Sequence, residues 1–231
     1  MFILYFDENY FKWAPMLIES IGVNEPEECI CVYGIELTEF QVERLHSYSY
    51  VTYVPSTFQK TVFVGSKKRI DARAARIVQK TAGFFLESFY RFPQEKLYMI
   101  LDVDSLLVNP LTEIKQKMAY YDMGISLGGT QARTGFILVK PTEASKLLVK
   151  EWNRRLTKGI CYWTKNQVTL FQLYQERKNE MRFLEFGNDY RDPVSKNDSY
   201  IWAAYKTRFG SKDERFELYK KKIENLKEEK G

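Results

Sequence analysis

The sequence has few of the residues that mark specialised protein classes. Its 231 residues include 3 cysteines, 12 glycines, 7 prolines and a single histidine. So little glycine and proline excludes a collagen-like chain, and a small, odd number of cysteines argues against a disulfide scaffold. Cys29 and Cys31 lie two residues apart, but with only Cys161 and His46 besides they form a poor set of zinc ligands. We expect small, buried or half-buried thiols and a histidine at a helix end on the surface.

Long apolar runs are also missing, which bears on location. No run approaches the length of about 20 apolar residues that a transmembrane helix needs. The apolar start has no basic residues before it and is interrupted by Asp7, unlike a secretory signal peptide. We therefore expect no transmembrane segment and a cytoplasmic protein.

Charge of one sign is only mildly in excess. The 35 basic and 30 acidic residues give a net charge of +5, and a nucleic-acid-binding protein usually concentrates a clearer excess on one face. We expect no nucleic acid partner, whereas a pocket for a phosphorylated small molecule suits this balance. Aromatic residues are abundant, with 16 Tyr, 16 Phe and 4 Trp. Many must lie in the core, and partly exposed rings stack well on bases or sugars.

Short apolar segments alternate with helical patterns along the chain. Strands are predicted at 2–6, 29–33, 51–54, 97–101, 123–127, 135–139, 181–186 and 200–205. Helices are predicted at 15–21, 70–89, 142–155 and 166–176, and the first of these is expected to end at Gly22. Another helix is predicted to begin after Thr38, which forms a capping box with Gln41. This alternation is typical of an α/β fold with a mostly parallel central sheet flanked by helices.

No linker divides the chain. We expect a single domain at 1–210 and a charged helical tail at 211–231. Apolar residues recur along one side of the tail at Phe216, Tyr219, Ile223 and Leu226. We expect this seam to pack on the domain; a dimer seam or a membrane contact are the alternatives.

Two aspartates follow the most apolar predicted strand. Asp102 and Asp104 come directly after 97–101, and side chains two residues apart in an extended chain point the same way. A hard ion such as Mg²⁺ or Mn²⁺ takes one or two carboxylates and completes its shell with substrate phosphates. Ligands of α/β sheets lie at the carboxyl ends of the strands. The pair therefore predicts a divalent metal site; an exposed turn is the alternative.

Two further segments favour a phosphorylated ligand. Arg69, Arg73, Arg76 and Lys80 are spaced by four, three and four residues on one helix face. Guanidinium groups match phosphate oxygens, although a solvated face with local ion pairs would show the same spacing. The segment 5–10 combines aromatic rings with hydrogen-bond acceptors, which a uracil base needs, and is equally compatible with an ordinary loop.

Together these segments resemble the GT-A glycosyltransferases, most closely the family 8 retaining galactosyl- and glucosyltransferases. The resemblance covers about residues 1–209 and rests on the segments 2–10, 75–76, 101–108, 133–138 and 163–167. It implies a GT-A fold, which is the Rossmann-like nucleotide-diphospho-sugar transferase fold. It also implies Mn²⁺ or Mg²⁺, a UDP-hexose donor such as UDP-glucose or UDP-galactose, and a glycan, lipid or protein acceptor.

The resemblance also implies residue roles. Asp104 would bind the metal, and Asp102 the metal and the ribose. The uridine would contact Tyr5, Asp7, Asn9 and Tyr10. The family's donor-facing arginine corresponds to Arg76; apart from the resemblance, Arg73 and Lys206 are further candidates for positive charge near the leaving diphosphate. Asn166 and Gln167 lie where the family has Asp-Gln; since amides cannot act as a base, they favour retention of the anomeric configuration.

The sequence departs from the family at the third metal ligand. The family has a histidine near the carboxyl end, and the segment 201–206 has alanine there. Water or a nearby side chain would have to replace it; the candidates are Asp189, Asp192, Asn197 and Asp198.

Two other functions stay open. A haloacid-dehalogenase-like phosphatase also carries an Asp-x-Asp after an apolar strand, but that strand normally opens the domain, and here about 100 residues precede it. A nucleotide-sugar-binding protein with little catalysis would explain an incomplete metal shell. The sugar, the acceptor and the oligomeric state are not predicted by the sequence.

Overall fold

The structure is a computed structural model, and it describes residues 1–57, 72–160, 162, 164–204 and 211–230. The strands are β1 Phe2–Asp7, β2 Ile30–Ile35, β3 Val51–Ser56, β4 Tyr98–Leu101, β5 Ser105–Leu107, β6 Met123–Gly128, β7 Gln131–Val139, β8 Phe183–Glu185 and β9 Ile201–Ala203. The helices are α1 Ala14–Asn24, α2 Glu39–His46, α3 Ala72–Gln79, α4 Thr81–Arg91, α5 Thr112–Lys117, α6 Glu143–Thr157, α7 Lys165–Arg177 and α8 Lys212–Lys230.

The larger sheet confirms the predicted α/β class. It has seven strands in the order β3-β2-β1-β4-β7-β6-β8, and β5 pairs with β9 in a separate antiparallel ribbon. β1 pairs with β2 in parallel, and β6 pairs with β8 in parallel but with β7 antiparallel. β1, β2 and β4 are buried along their whole length, which explains why they read as continuous apolar runs.

The chain divides into two compact units. Unit 1 comprises Met1–Pro55, Leu101–Gln116 and Gly187–Gly231, and unit 2 comprises Ser56–Ile100 and Lys117–Phe186. In unit 1, α1 is tied to β5 by two polar side chains. Ser20 Oγ accepts from the N–H of Leu107 (3.1 Å), and Asn24 Nδ2 donates to its carbonyl (2.9 Å). These bonds fix the position of β5, which follows the acidic pair Asp102 and Asp104 in the chain.

α8 also packs on unit 1 through its apolar seam. Tyr219, Ile223 and Leu226 are buried, and the Tyr219 ring lies 5.8 Å from the Trp13 ring at the start of α1. Lys227 Nζ pairs with a carboxylate oxygen of Glu19 at 2.8 Å. The seam is therefore covered by the protein's own residues. The domain boundary predicted at residue 210 stays a prediction.

Several predicted elements differ from the observed ones. The helix predicted at 70–89 is two helices, α3 and α4, within the described part. They separate at Lys80, where the Thr81 hydroxyl donates to the carbonyl of Val78 (2.9 Å) and competes with the helical bonding. The start of that prediction lies outside the described residues.

Gly22 does not close α1. The helix continues to Asn24, and a Cβ at Gly22 would lie 2.7 Å from the Tyr50 hydroxyl, so the glycine serves a close contact. Cys31 is buried as predicted, but Cys29 precedes β2 and is exposed, so the prediction of a buried or half-buried thiol is wrong there. Cys161 lies outside the described residues. The Thr38–Gln41 capping box is confirmed, and His46 ends α2 on the surface as expected.

The predicted strands near the carboxyl end shorten to β8 and β9, and β7 begins at Gln131. None of the helices in the part of the chain that the structure describes has the length and apolar character to span a bilayer.

Candidate active site

Asp102 and Asp104 lie in a turn between β4 and β5. The N–H of Ser105 donates to the carbonyl of Asp102 (3.1 Å). The segment was predicted to be extended, and this bond shows that it turns instead. The chain turns here because β4 belongs to the large sheet and β5 pairs with β9 instead. Both aspartates are nevertheless only partly exposed. Burial and then the charge of Asp104 raise the pKa of Asp102, and nearby cations counter that rise.

An ammonium group already lies against this pair. Lys212, the first residue of α8, places Nζ 2.6 Å from Oδ2 of Asp104 and 4.9 Å from the centroid of the Tyr10 ring. Burial alone would lower the pKa of Lys212, but the charge of Asp104 and the hydrogen bond to it raise that pKa above its ordinary value. The charge of Arg191 also acts on Asp102. Lys212 thus links the acidic pair to the loop after β1.

The loop after β1 is organised by Asp7. This side chain is buried, and its Oδ1 accepts from the N–H groups of Asn9 (3.0 Å) and Tyr10 (3.2 Å). Asn9 is exposed, Tyr10 is partly exposed, and Tyr5 is buried in β1. Within unit 1 the structure therefore gives Asp7 a turn-forming role and leaves Asn9 and Tyr10 accessible.

The segment expected to carry a histidine runs beside Asp104. The N–H of Ala204 donates to the carbonyl of Asp104 at 2.9 Å, and Ala204 offers no side-chain ligand. Asp192, one of the proposed replacements, is buried and engaged in its own loop. Its carboxylate accepts from the N–H groups of Val194 and Lys196 and from the hydroxyl of Ser199.

The described residues do not fit a resident divalent ion. In the ranges that the structure describes, no three His, Cys, Asp or Glu side chains are grouped to hold one. The acidic pair supplies two carboxylates, and one oxygen of Asp104 already accepts from an ammonium. The predicted Mn²⁺ or Mg²⁺ stays a prediction.

The predicted amides lie in the first turn of α7, in unit 2. Asn166 is buried and donates from Nδ2 to the hydroxyl of Thr81 (3.2 Å), while its Oδ1 is buried without a hydrogen-bond partner among the described residues. Gln167 is partly exposed. Lys165 donates to the carbonyl of Leu156 (2.8 Å) and therefore fixes the chain before α7.

The basic residues that were predicted on one helix face have different surroundings where the structure describes them. Arg76, on α3, has a buried Nε with no hydrogen-bond partner in the described part of the chain. Lys80 donates to Ser56 Oγ (2.6 Å) and to the carbonyl of Thr57, so it holds a loop. The side chain of Arg73, and Arg69 and Lys206 as a whole, lie outside the described residues.

Sequence reasoning missed Lys212 and Arg191. Lys212 lies 108 residues after Asp104, at the start of a helix whose pattern shows only its apolar seam. Arg191 lies between β8 and β9, where the sequence drew attention only to acidic and amide side chains such as Asp189 and Asp192. No spacing rule connects either residue with Asp102; only the packing of α8 and the turn near β9 bring them there.

The chain was compared with known proteins. No family model matches the sequence, and no curated protein matches it. Among solved structures, the glycosyltransferase GlyE of Streptococcus pneumoniae TIGR4 matches with a TM-score of 0.58 and 10% identity over 99% of this chain and 63% of GlyE. The galactosyltransferase LgtC, in complex with donor and acceptor sugar analogs, matches with a TM-score of 0.55 and 11% identity over 98% of this chain and 96% of LgtC. A glycosyltransferase involved in glycosylation of the major capsid of PBCV-1 matches with a TM-score of 0.54 and 13% identity over 95% and 98% of the two chains.

These comparisons establish the fold. The chain has the fold of glycosyltransferases of the GT-A type, as the resemblance implied, and the phosphatase alternative is not favoured. This chain spans less than two thirds of the length of GlyE but nearly all of LgtC.

Proposed function

We propose that the protein is a glycosyltransferase that moves a hexose from a nucleotide sugar to an acceptor hydroxyl. The observation that carries the proposal is the half-buried pair Asp102 and Asp104 at the end of β4, facing Lys212 and beside the loop after β1. In this fold, opposite charges at the carboxyl ends of the strands suit a charged ligand. The shared fold with glycosyltransferases supports the same class of reaction.

The proposed donor is UDP-glucose or UDP-galactose. Tyr10 offers a partly exposed ring for the base, and its neighbour Asn9 offers an exposed amide. Lys212 stands 4.9 Å from that ring, so the base-stacking surface and a positive charge for the diphosphate are adjacent. Tyr5 and Asp7 support this loop from β1. The acceptor class, whether glycan, lipid or protein, and the cytoplasmic location stay predictions.

The chemistry requires stabilisation of a leaving nucleoside diphosphate. The bond from C1 of the sugar to the phosphate oxygen breaks, the acceptor oxygen bonds to C1, and the acceptor proton goes to the departing phosphate. Negative charge therefore grows on the diphosphate, and preorganised cations lower the barrier. Within unit 1, Lys212 and Arg191 are the described basic residues whose charges act on the acidic pair. Arg73, Arg76 and Lys206 remain proposed phosphate ligands.

We propose transfer with retention. Inversion needs a carboxylate base at the acceptor hydroxyl, and the positions that resemble the family's Asp-Gln are Asn166 and Gln167. Asp122, a carboxylate of unit 2, is not free to act as a base, because it is buried and forms an ion pair with Arg182 at 3.3 Å. The unpartnered Oδ1 of Asn166 supports a role as a neutral dipole.

The experiment is a donor screen that reads free nucleotide from a panel of nucleotide sugars. We expect UDP release from UDP-glucose or UDP-galactose, and at least about a hundredfold loss in Asp104→Asn. Proton NMR of the first product from a UDP-α-sugar should show a small anomeric coupling. A large coupling would contradict retention, and release that is unchanged in Asp104→Asn would remove the assigned site.

A second candidate is a nucleotide-sugar-binding protein with little catalysis. The observation in its favour is that Ala204, in the segment where the resembled family has a histidine, contacts Asp104 only through its backbone N–H and offers no side-chain ligand. Saturable UDP binding without any sugar release across the donor panel would support this candidate instead.

A further inference from the structure

Lys212 occupies the region in which a metal bound to Asp104 would lie. Its Nζ is 2.6 Å from Oδ2 of Asp104, and a Mg²⁺ ion on the same oxygen would lie at about 2.0–2.1 Å. Two cations cannot share one carboxylate oxygen at such distances without strong repulsion. An ion could therefore bind there only after the ammonium had left.

The position of Lys212 is set by a helix that is anchored along its length. α8 buries Tyr219, Ile223 and Leu226, and the Phe216 ring contacts the Trp13 ring edge-on at 5.0 Å. The far end is held by the ion pair between Lys227 and Glu19 (2.8 Å). Removing the ammonium from Asp104 would require a long side chain to reorient while its helix stays in place.

The groups around Asp104 stabilise an ammonium but provide few ligands for a metal ion. Asp104 is only 18% exposed and Lys212 37%, so the pair is sheltered from solvent. The Tyr10 ring provides a second favourable contact for a cation. A metal would find Ala204 beside Asp104, and Asp192 already bound within its own loop.

We propose that Lys212 is the resident cation of the acidic pair, so that the site holds a nucleoside diphosphate without a divalent ion. The ammonium has three N–H groups; one donates to Asp104 and a second bonds to Tyr10, which leaves one for a phosphate oxygen. The assignment of the resident cation stands on its own contacts, whereas the diphosphate part rests on the proposed function.

The first measurement uses Mn²⁺ alone, with binding followed by loss of the free-ion signal in electron paramagnetic resonance. We expect the affinity for Mn²⁺ to rise at least about tenfold in Lys212→Met, because the competing charge is gone and both carboxylates become available. Lys212→Arg should bind Mn²⁺ as weakly as the wild type. The matched control is Lys221→Met, an exposed lysine of the same helix, which should leave the affinity unchanged.

The gain in Mn²⁺ affinity should disappear in the double variant Lys212→Met/Asp104→Asn, because the acidic pair forms the new site. A smaller rise in Lys212→Met, or the same rise in Lys221→Met, would overturn the assignment. Thermal melts show whether each variant keeps the fold. If Lys212→Met unfolds, Lys212→Arg compared with the wild type tests whether a positive charge at this position keeps the Mn²⁺ affinity low.

The second measurement is UDP titration by calorimetry, in EDTA and in Mn²⁺. We expect the wild-type Kd to agree within about twofold in the two buffers, and Lys212→Met to bind UDP only with Mn²⁺. Wild-type binding that requires Mn²⁺ would overturn the proposal. If UDP binds in neither buffer, the proposed function fails, while the Mn²⁺ measurement still decides the role of Lys212.

Discussion

At the scale of single residues, two buried polar atoms without partners belong to residues that the sequence singled out for the donor. The Nε of Arg76 and the Oδ1 of Asn166 are buried and have no hydrogen-bond partner among the described residues. Leaving such a group unpaired costs about 1–3 kcal/mol, more if it is charged. Both residues were singled out from the sequence for contact with the donor, and their surroundings agree with that prediction without testing it.

Arg76→Met should weaken UDP binding about tenfold, because a charge-assisted hydrogen bond to phosphate is lost. The difference between variant and wild type should shrink as salt is added, since a phosphate contact is largely Coulombic. Calorimetry at low and high ionic strength measures both effects. Arg154→Met is the control, because Arg154 is exposed and pairs only locally with Glu151. An unchanged Kd in Arg76→Met would show that this residue does not contact the nucleotide.

At the scale of elements, Asp122 joins the start of β6 to the segment before β8. Its carboxylate accepts from the backbone N–H of Arg182 (3.1 Å) and from the guanidinium (3.3 Å). Burial alone would raise the pKa of Asp122, but the hydrogen bonds from Arg182 outweigh burial and lower it. The ionised carboxylate therefore stabilises the fold above the unfolded-state pKa of about 3.9, and this contribution is lost as pH falls through the lower folded pKa.

Asp122→Asn should reduce the free energy of unfolding by about 1–2 kcal/mol at pH 7. The gap from the wild type should begin to close as the pH falls below about 3.9 and should close fully below the lower folded pKa, where the folded wild-type carboxylate is also neutral. Urea denaturation at several pH values measures the gap. Asp213→Asn serves as the control, because the Asp213 side chain is 91% exposed. A gap that stays constant down to low pH would show that Asp122 acts by packing and not by charge.

At the scale of the whole molecule, the sequence predicts the class and the order of elements well. The strands β1, β2 and β4 are buried on all sides, so their apolar runs are unambiguous. The helix at 70–89 was predicted as continuous because its periodicity does not reveal the side-chain bond from Thr81 to Val78. Local patterns also could not predict the turn at 102–105, since it arises where β5 leaves for a different partner strand.

The site was predicted in part for the same reason. Asp102 and Asp104 stand out because unpaired acids are unusual after a buried strand. Their cation could not be found by spacing, because Lys212 reaches Asp104 only when α8 packs its seam against α1. The sequence does not distinguish Lys212 from the other lysines of the charged tail, because only the packing of α8 places it beside Asp104.

The central claim is that a nucleoside diphosphate binds in unit 1, against the acidic pair, Lys212 and the loop after β1. Hydrogen–deuterium exchange with and without saturating UDP tests this most directly, because it reports where the ligand protects the backbone. The account predicts slower exchange in peptides that cover 7–11, 102–105 and 211–216, and no such protection in these peptides for Lys212→Met in the absence of Mn²⁺. Protection by UDP that leaves these three segments unchanged would contradict it.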